Sequence, residues 1–327
     1  MRAVLCKEWG APETLVVEEV PEPAAGAGEV RIAVAACGVN FADTLLIAGE
    51  YQDKPAFPFS PGLEVAGTVL DCGEGVQDLA PGDRVMAALD HGGFAEQAAA
   101  RADDVFRLPD DMDFDAAAGF AIVYGTAYGA LDWRARLAAG ETLLVLGAAG
   151  GVGLTAVEVG KAMGARVIAA AGGDEKLALA RAHGADEAID YRAEDLRVRV
   201  KELTDGRGCD VIYDPVGGAA FDASLRCVAW EGRIVVIGFA SGRVPQVPAN
   251  LLLVKNCAAI GFYWGSYRRK DPARLRAAFE TLFEWYGEGR LTPHVSQRFP
   301  LDEASAALAA LKGRTATGKI VLTTGAT

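Results

Sequence analysis

Four glycines fall within seven residues at the end of an apolar run, in the stretch LVLGAAGGVGL from Leu144 to Leu154. Ala148, Gly150 and Gly153 have the spacing A-x-G-x-x-G, a variant of the dinucleotide-binding fingerprint. In that motif bare backbone approaches a pyrophosphate, and N–H groups at a helix N-terminus bind its negative charge. A tight packing turn without a ligand is the alternative. We therefore predict a dinucleotide site whose pyrophosphate contacts Ala149, Gly150, Gly151, Val152 and Gly153.

The residues after the next apolar segment bear on which dinucleotide binds. NAD-specific sites usually carry an Asp or Glu at the tip of the second strand, where it binds the ribose 2′-OH. Here RVIAAAGGDEK ends in Ala171, Gly172 and Gly173, with no carboxylate at the tip. Lys176 could pair with a 2′-phosphate, and Tyr191, after the third strand, could cover the adenosine. NADPH is therefore the predicted cofactor, with Asp174 open to two interpretations, a ribose ligand or a helix N-cap.

Apolar strands alternate regularly with helical stretches around the glycine motif. The candidate strands read TLLVLG, ARVIAAAG, EAIDY, CDVIYDPVG, GRIVVIGF and CAAIGFYW. Helical patterns separate the first five, whereas ASGRVPQVPANLLLVKN, before the sixth, is predicted to be mostly loop. Such alternation predicts parallel strands with right-handed crossovers and both faces covered. The predicted fold class is α/β, with a doubly wound sheet of six parallel strands.

The two ends of the chain have a different pattern. The first third reads as short β-elements broken by turns, such as EVRIAVAACGVN, EVAGTVLDCG and GDRVMAAL, which predict an irregular, β-rich unit. A helix is predicted from about Asp115. The tail is predicted to hold two helices, PARLRAAFETLFEWYGEG and LDEASAALAALKG, and a final strand, GKIVLTT.

Composition excludes several classes of function. The formal net charge is −12, which argues against a protein that binds nucleic acid through its phosphates. No apolar run is long enough for a membrane span, and the N-terminal residues lack a secretory signal pattern, so a cytoplasmic location is expected. The six cysteines form no C-x-x-C pair and are predicted to be mostly buried free thiols. The three histidines belong to no recognisable metal or catalytic motif.

Motifs along nearly the whole chain resemble those of the zinc-free quinone oxidoreductases, the zeta-crystallin-like branch of the medium-chain dehydrogenase/reductase superfamily. They are, in order, GVNFADTLLIAGEY, FPFSPGLEVAGTV, PGDRVMA, GGFAEQ, YGTAY, GAAGGVG, YDPVGG and GKIVL. The resemblance implies a GroES-like catalytic domain built from residues 1–123 and 267–327. It also implies an NADPH-binding Rossmann domain at residues 124–266.

The same resemblance implies that no metal is bound. Alcohol dehydrogenases of the superfamily have a catalytic Cys in a CGVCGSD-like segment and a His in a GHE triplet. This chain reads CGVNFAD and GLE, so Asn40 and Leu63 stand at those positions. Zinc without thiolate and imidazole ligands is disfavoured. Without a Lewis acid, hydride transfer to a quinone or an α,β-unsaturated carbonyl fits better than alcohol oxidation.

Two residues are implied as catalytic and further residues as cofactor contacts. Asn40 and Tyr51 are expected to polarise a substrate carbonyl, although Asn40 could instead be a turn former and Tyr51 a packing aromatic. Tyr51 aligns with a tyrosine thought to act as an acid in related enoyl-thioester reductases. The expected contacts near the nicotinamide are Thr126, Gly217, Gly238, Phe239, Phe262, Tyr263 and Trp264.

The predicted function is an NADPH-dependent quinone reductase. The alternative is an NADPH-dependent enoyl or alkenal C=C reductase on the same scaffold, and a non-catalytic NADPH-binding protein is the third. The apolar segment near Asn256–Trp264 would be an exposed edge strand, which would otherwise be prone to aggregation. A homodimer that pairs this edge is therefore expected, as relatives commonly form.

Overall fold

The computed structural model describes residues Met1–Gly325, which form two compact units. Unit 1 contains Met1–Ile122, Lys270–Arg276 and the chain from Pro293 onward. Unit 2 contains Val123–Arg269 and Ala277–Thr292. The segment Ala277–Thr292 differs from the predicted division, which assigned it to the catalytic domain. It belongs to unit 2 because Phe279 packs there edge-on against Trp264, with ring centroids 6.4 Å apart.

The helices and strands follow in chain order. Residues 1–120 contain β1 (Arg2–Leu5), β2 (Val16–Glu19), β3 (Glu29–Val39), α1 (Phe41–Ile47), β4 (Glu64–Cys72), β5 (Arg84–Ala88), β6 (Gln97–Arg101), β7 (Val105–Arg107) and α2 (Phe114–Ala118). Residues 121–287 contain α3 (Ala121–Tyr128), β8 (Thr142–Leu146), α4 (Gly151–Ala162), β9 (Arg166–Ala171), α5 (Asp174–Ala182), β10 (Glu187–Asp190), α6 (Leu196–Leu203), β11 (Cys209–Asp214), α7 (Gly218–Cys227), β12 (Val228–Val236), α8 (Ala249–Lys255), β13 (Ala258–Gly261), α9 (Tyr267–Lys270) and α10 (Pro272–Gly287). The remainder contains β14 (Val295–Pro300), α11 (Ala304–Lys312) and β15 (Lys319–Thr323).

Unit 1 is β-rich, as predicted. Its larger sheet has the order β14-β15-β3-β4-β5-β7, and β6 pairs with β3. Strand β3 positions its core residues by alternation, since Val30, Ile32 and Val34 are fully buried on one face. Strand β14 was not predicted from the sequence, because VSQRFP is polar and only partly buried at the sheet edge.

Unit 2 contains the predicted sheet of six parallel strands in the order β10-β9-β8-β11-β12-β13. Numbered along the chain, this is the 3-2-1-4-5-6 order of a dinucleotide-binding fold. All five residues of the central strand β8 are buried, as expected for a strand covered by helices on both faces. The α/β fold class is therefore confirmed.

Two predicted elements have different boundaries in the structure. The helix expected from Asp115 is divided into α2 and α3, followed by a π-helical segment, Gly129–Ala135. The segment before β13 was predicted to be mostly loop, but Ala249–Lys255 forms α8. Pro248 precedes this helix, where its fixed φ suits a helix start.

A buried carboxylate ties the helices of unit 2 together. Glu158 on α4 accepts a hydrogen bond from the hydroxyl of Tyr124 at 2.5 Å. Its other oxygen accepts the backbone N–H of Thr292 at 3.1 Å and the Thr292 hydroxyl at 2.7 Å. His183 Nδ1 lies 2.7 Å from the same oxygen. Burial raises the pKa of Tyr124 well above its ordinary value. His183 therefore has a structural role, and the network fixes the helix that follows the glycine motif.

The cysteines agree with the prediction of mostly buried free thiols. All six are unpaired, and only Cys72 is partly exposed. None of the helices within residues 1–325 is both long enough and apolar enough to cross a membrane.

Candidate functional site

The glycine motif forms the turn between β8 and α4. Gly147 has a positive φ of 61°, and Gly150 is the N-cap of α4 with an extended φ of −84°. A Cβ on Gly153 would overlap the carbonyl oxygen of Gly147, so Gly153 is required by packing. A Cβ on Gly150 would come no closer than 3.5 Å to another atom of the protein. Packing therefore does not require a glycine at 150, and its bare backbone leaves room for a ligand.

This turn fits the pyrophosphate of a dinucleotide. The first N–H groups of α4, at Gly151, Val152 and Gly153, have no acceptor within the helix. They lie at the positive end of the helix dipole, where an anion is stabilised. The position of the motif, predicted from the sequence at the first strand-to-helix turn, is the position found.

An arginine that the sequence prediction missed lies at the tip of β9. A Cβ on Gly172 would overlap Nε of Arg192, so the Arg192 side chain crosses the bare backbone of Gly172. The N–H of Arg192 donates to Asp190 Oδ1 at 2.9 Å, and the N–H of Gly173 donates to Asp190 Oδ2 at 3.2 Å. Within residues 1–325 the guanidinium group of Arg192 has no carboxylate partner. A cation at this tip suits a 2′-phosphate.

Two other residues, Tyr191 and Lys176, were predicted to contact the cofactor near the position where Arg192 lies. Tyr191 is its neighbour in sequence and is exposed. Lys176 is on the first turn of α5, which begins at Asp174. Gly173 is the N-cap of this helix, so the interpretation of Asp174 as the N-cap is wrong. The signal that could have identified Arg192 is its position immediately after the third strand.

The ends of β11 and β12 bring the next predicted residues to the same edge of the sheet, because all the strands are parallel. Asp214 Oδ1 accepts the N–H groups of Val216 and Gly217, both at 2.8 Å, and so fixes the loop after β11. Burial raises the pKa of Asp214. The ring of Phe239 lies 3.2 Å from the position of a Cβ on Gly217. Gly238 and Phe239 follow β12 directly, and Phe239 is exposed.

The aromatic run after β13 divides into one accessible and two buried side chains. Tyr263 is 42% exposed, whereas Phe262 and Trp264 are 8% and 7% exposed. The ring of Phe262 packs against Trp133, and a Cβ on Gly125 would lie 2.5 Å from Trp264 Nε1. Phe262 and Trp264 are therefore core side chains of unit 2, and a cofactor contact there would use their backbone. Thr126, the residue after Gly125 on α3, is also buried.

Unit 1 contains a buried polar network around Asn40. Lys319 Nζ donates to Asn40 Oδ1 at 2.8 Å, to Glu64 Oε1 at 2.8 Å and to the carbonyl of Val39 at 3.0 Å. Asn40 Nδ2 donates to Glu64 Oε1 at 2.9 Å and to the carbonyl of Gly38 at 3.3 Å. The amide of Asn40 thus has partners within unit 1 at both its oxygen and its nitrogen.

Asp43 continues this network at the start of α1. Its carboxyl group accepts the N–H of Asn40 at 2.7 Å and the N–H of Gly62 at 3.2 Å. Burial is the largest influence on this group and raises the pKa of Asp43 to about 7. Tyr51, just beyond the other end of α1, is partly buried and packs against the core of unit 1.

The network does not fit zinc. Zinc prefers thiolate, imidazole and carboxylate ligands. Here Asn40 offers an amide, Leu63 is a buried core residue, and the oxygens of Asn40 and Glu64 already bind the ammonium group of Lys319. Among residues 1–325 no group of three or more His, Cys, Asp or Glu side chains could hold a metal ion.

The two units therefore offer different chemical functions. Unit 2 has backbone N–H groups at the start of α4 and a cation at the tip of β9, which suit the phosphates of a dinucleotide. Unit 1 contains buried carboxylates, a buried ammonium group and the partly buried phenol of Tyr51. A reaction in which charge develops on a substrate oxygen would use such a hydrogen-bond donor.

Comparison with known proteins finds two family matches in this chain. Residues 26–110 match the family described as alcohol dehydrogenase GroES-like domain. Residues 151–284 match the family described as zinc-binding dehydrogenase. A quinone oxidoreductase-like protein 2 homolog of Nematostella vectensis is 44% identical over 99% of this chain and 89% of its own length. A quinone oxidoreductase of Pseudomonas aeruginosa is 38% identical over 96% of this chain and 97% of its own length.

The structural comparison agrees. The structure of Escherichia coli quinone oxidoreductase, complexed with NADPH, matches with a TM-score of 0.93 and 32% identity. The match covers 99% of this chain and 100% of that chain. The chain therefore belongs to the quinone oxidoreductase-like branch of the medium-chain dehydrogenase/reductase superfamily and is an oxidoreductase.

Proposed function

We propose that this chain is an NADPH-dependent reductase of quinones that works without zinc. The end-to-end similarity to quinone oxidoreductases carries the proposal, and the cations at the tip of β9 support the choice of NADPH. When bound, NADPH supplies a hydride, which is two electrons and a proton, to the quinone. The resulting hydroquinone anion takes a second proton from solvent.

Six unpaired cysteines suit a reducing compartment, and we propose that the protein is located in the cytoplasm.

In this proposal unit 2 binds and orients the cofactor. The first turn of α4 would hold the pyrophosphate, and Lys176, Tyr191 and Arg192 would hold the adenosine 2′-phosphate. Phe239 and Tyr263 are the accessible aromatic side chains at the strand ends, and we assign them to the nicotinamide half. The cofactor contacts predicted from sequence are retained here, with those of Phe262 and Trp264 through their backbone.

The proposed role of Tyr51 is to donate a hydrogen bond to the substrate carbonyl. Asn40 has hydrogen-bond partners at both ends of its amide, so we propose that it acts mainly by holding the start of α1. A quinone needs little more than positioning, because its anion is delocalised. An enoyl substrate gives an enolate-like anion, for which a placed acid matters more.

Tyr51→Phe tests the choice between these two substrates. If quinones are the substrates, kcat should fall about tenfold or less, with the loss mainly in KM. Steady-state kinetics with NADPH and a panel of quinones, enones and enoyl thioesters make the measurement. An enoyl substrate that outperforms every quinone and loses kcat about 10²-fold or more in the variant would instead identify an enoyl reductase. No NADPH oxidation with any substrate would leave a cofactor-binding protein without catalysis.

Arg192→Ala and Lys176→Ala should each weaken NADPH binding and leave NADH binding nearly unchanged. A charge-assisted contact to phosphate is worth about 1.5–3 kcal/mol when partly buried and less when exposed, so we expect roughly a 5- to 100-fold loss for Arg192. Fluorescence titration with both cofactors makes the measurement. Arg226→Ala, an exposed arginine at the end of α7, is the matched control. Equal losses for NADH and NADPH would contradict the assignment to the 2′-phosphate.

Zinc independence has a direct test. The donor set around Asn40 supports it, and metal analysis of chelator-treated, active protein should find no stoichiometric zinc. Retention of one zinc per chain would contradict it.

We also propose a homodimer that pairs the edge of β13. Strand β13 ends the sheet, and the neighbouring α8 exposes Leu253 and Val254 by 76% and 71%. An exposed edge strand next to exposed apolar side chains is usually covered. Light scattering should give twice the chain mass of 34.2 kDa, and Leu253→Glu should shift the mass toward that of one chain. A single-chain mass for the unaltered protein would contradict the proposal.

A further inference from the structure

The ammonium group of Lys319 occupies the centre of the buried network in unit 1. Lys319 is the first residue of β15, and the next residue, Ile320, pairs with Val39 in β3. A lysine ammonium has three hydrogens, and this one has three oxygen acceptors at 2.8–3.0 Å: Val39 O, Asn40 Oδ1 and Glu64 Oε1. Lys319 is only 6% exposed and Glu64 is fully buried. The cation is therefore completely coordinated by the protein.

This cation determines the orientation of the Asn40 amide. An ammonium group can only donate, so Oδ1 of Asn40 must face Lys319. Nδ2 must then face Glu64 Oε1 and the carbonyl of Gly38, which both accept. Asn40 is also the N-cap residue of α1, the helix that leads to Tyr51. The position of Lys319 thus determines how the chain enters this helix.

The same cation offsets the charge of Glu64. The second oxygen of this carboxylate accepts the N–H of Ile122, at the start of α3, at 2.9 Å. Two glycines make the space for the pair. A Cβ on Gly38 would lie 2.5 Å from Glu64 Oε1, and one on Gly119 would lie 3.1 Å from Lys319 Cγ. Removing one member of a buried ion pair leaves an uncompensated charge, which is strongly destabilising.

We infer that Lys319 supplies this site with a resident cation, which orients Asn40 and so positions the start of α1. Asn40 and Glu64 lie in residues 26–110, which match the family described as alcohol dehydrogenase GroES-like domain, yet the donor set here fits an ammonium group. Lys319 is a positioning residue, since it acts on the reaction through Asn40, Glu64 and α1. An external cation is unnecessary while this side chain is in place.

Chemical rescue tests the inference. Lys319→Ala removes the cation and leaves a cavity, whereas Lys319→Met removes the charge and fills most of the space. We expect both variants to lose about 5–15 °C in Tm. Propylammonium chloride should restore a large part of the Tm of Lys319→Ala, should have little effect on Lys319→Met, and should leave the unaltered protein unchanged. Sodium chloride at equal concentration controls for ionic strength, and Lys312→Ala controls for the loss of an exposed lysine.

Steady-state kinetics give a second readout. The kinetic readout depends on the proposed quinone reduction, whereas the thermal readout does not. Lys319→Ala should lose about 10–100-fold in kcat with a near-normal Kd for NADPH, and propylammonium should restore kcat. If the unaltered protein reduces no substrate, the proposed function fails while the thermal rescue still decides the inference. Wild-type Tm and kcat in Lys319→Met, or equal rescue of the Ala and Met variants, would overturn it.

A further pair of variants covers the case in which Lys319→Ala does not fold. Lys319→Arg keeps a cation and Lys319→Gln does not. The Arg variant should be the more stable of the two and should keep more of the kcat. A Gln variant at least as stable and active as the Arg variant would overturn the inference.

Discussion

Gly150→Ala is expected to leave the stability of the protein nearly unchanged while it weakens NADPH binding by about 10–100-fold. The backbone at Gly150, with φ −84° and ψ 172°, is open to any residue, and a Cβ there meets no atom within 3.5 Å. The loss of chain entropy in the unfolded state favours alanine slightly, and its poorer N-capping opposes this. The added methyl group would instead meet the pyrophosphate. Titration with NADPH and with NADH should show the same loss, because both carry that group.

Gly153→Ala is the matched comparison, because its Cβ would overlap the carbonyl oxygen of Gly147. This variant should unfold at a lower denaturant concentration even without cofactor. The pair thus separates a glycine needed for the ligand from a glycine needed for packing. Normal NADPH affinity in a well-folded Gly150→Ala variant would show that the pyrophosphate does not lie on this turn.

Glu158→Ala should destabilise the protein by about 3–5 kcal/mol, from several buried groups that each cost about 1–3 kcal/mol without a partner. The change removes the acceptor shared by Tyr124, His183 and Thr292. Glu158→Gln should cost about 1–2 kcal/mol, since the amide keeps one acceptor oxygen and gains a donor. Urea unfolding followed by tryptophan fluorescence measures both.

Glu175→Ala is the control, because Glu175 is an exposed glutamate on α5. It should change stability by no more than about 0.5 kcal/mol. A loss below 1 kcal/mol in Glu158→Ala would mean that water replaces the carboxylate, and that the network does not hold the helices of unit 2 together.

The sequence alone was sufficient to predict those parts of the fold that depend on local patterns of residues. The six parallel strands and the glycine turn follow from apolar periodicity and from short spacings around Gly150. Strand β14 was missed because it lies at a sheet edge, where the apolar signal is weak. Helix α8 was missed because the segment around it is rich in loop-forming residues.

The residues that sequence reasoning missed at the site depend on contacts between distant segments. Arg192 reaches Gly172 only because β9 and β10 are neighbours in the sheet. Lys319 is 279 positions from Asn40 in the chain, and no spacing rule connects them. Asn40 was assigned to the substrate carbonyl from the resemblance, and the sequence does not reveal the partners that its amide has in the fold.

The pairing of β15 with β3 also determines the order in which the two units can be completed during translation. Lys319 and Val39 are 280 positions apart, so the nascent chain exposes β3 long before its neighbouring strand is translated. Unit 2, by contrast, is complete once Thr292 has emerged, and its parallel sheet can close first. Throughout this interval Glu64 lacks the ammonium group with which it is finally buried. Unit 1 is therefore the part of the nascent protein that is completed last, because its sheet gains β14 and β15 only when the final residues have been translated.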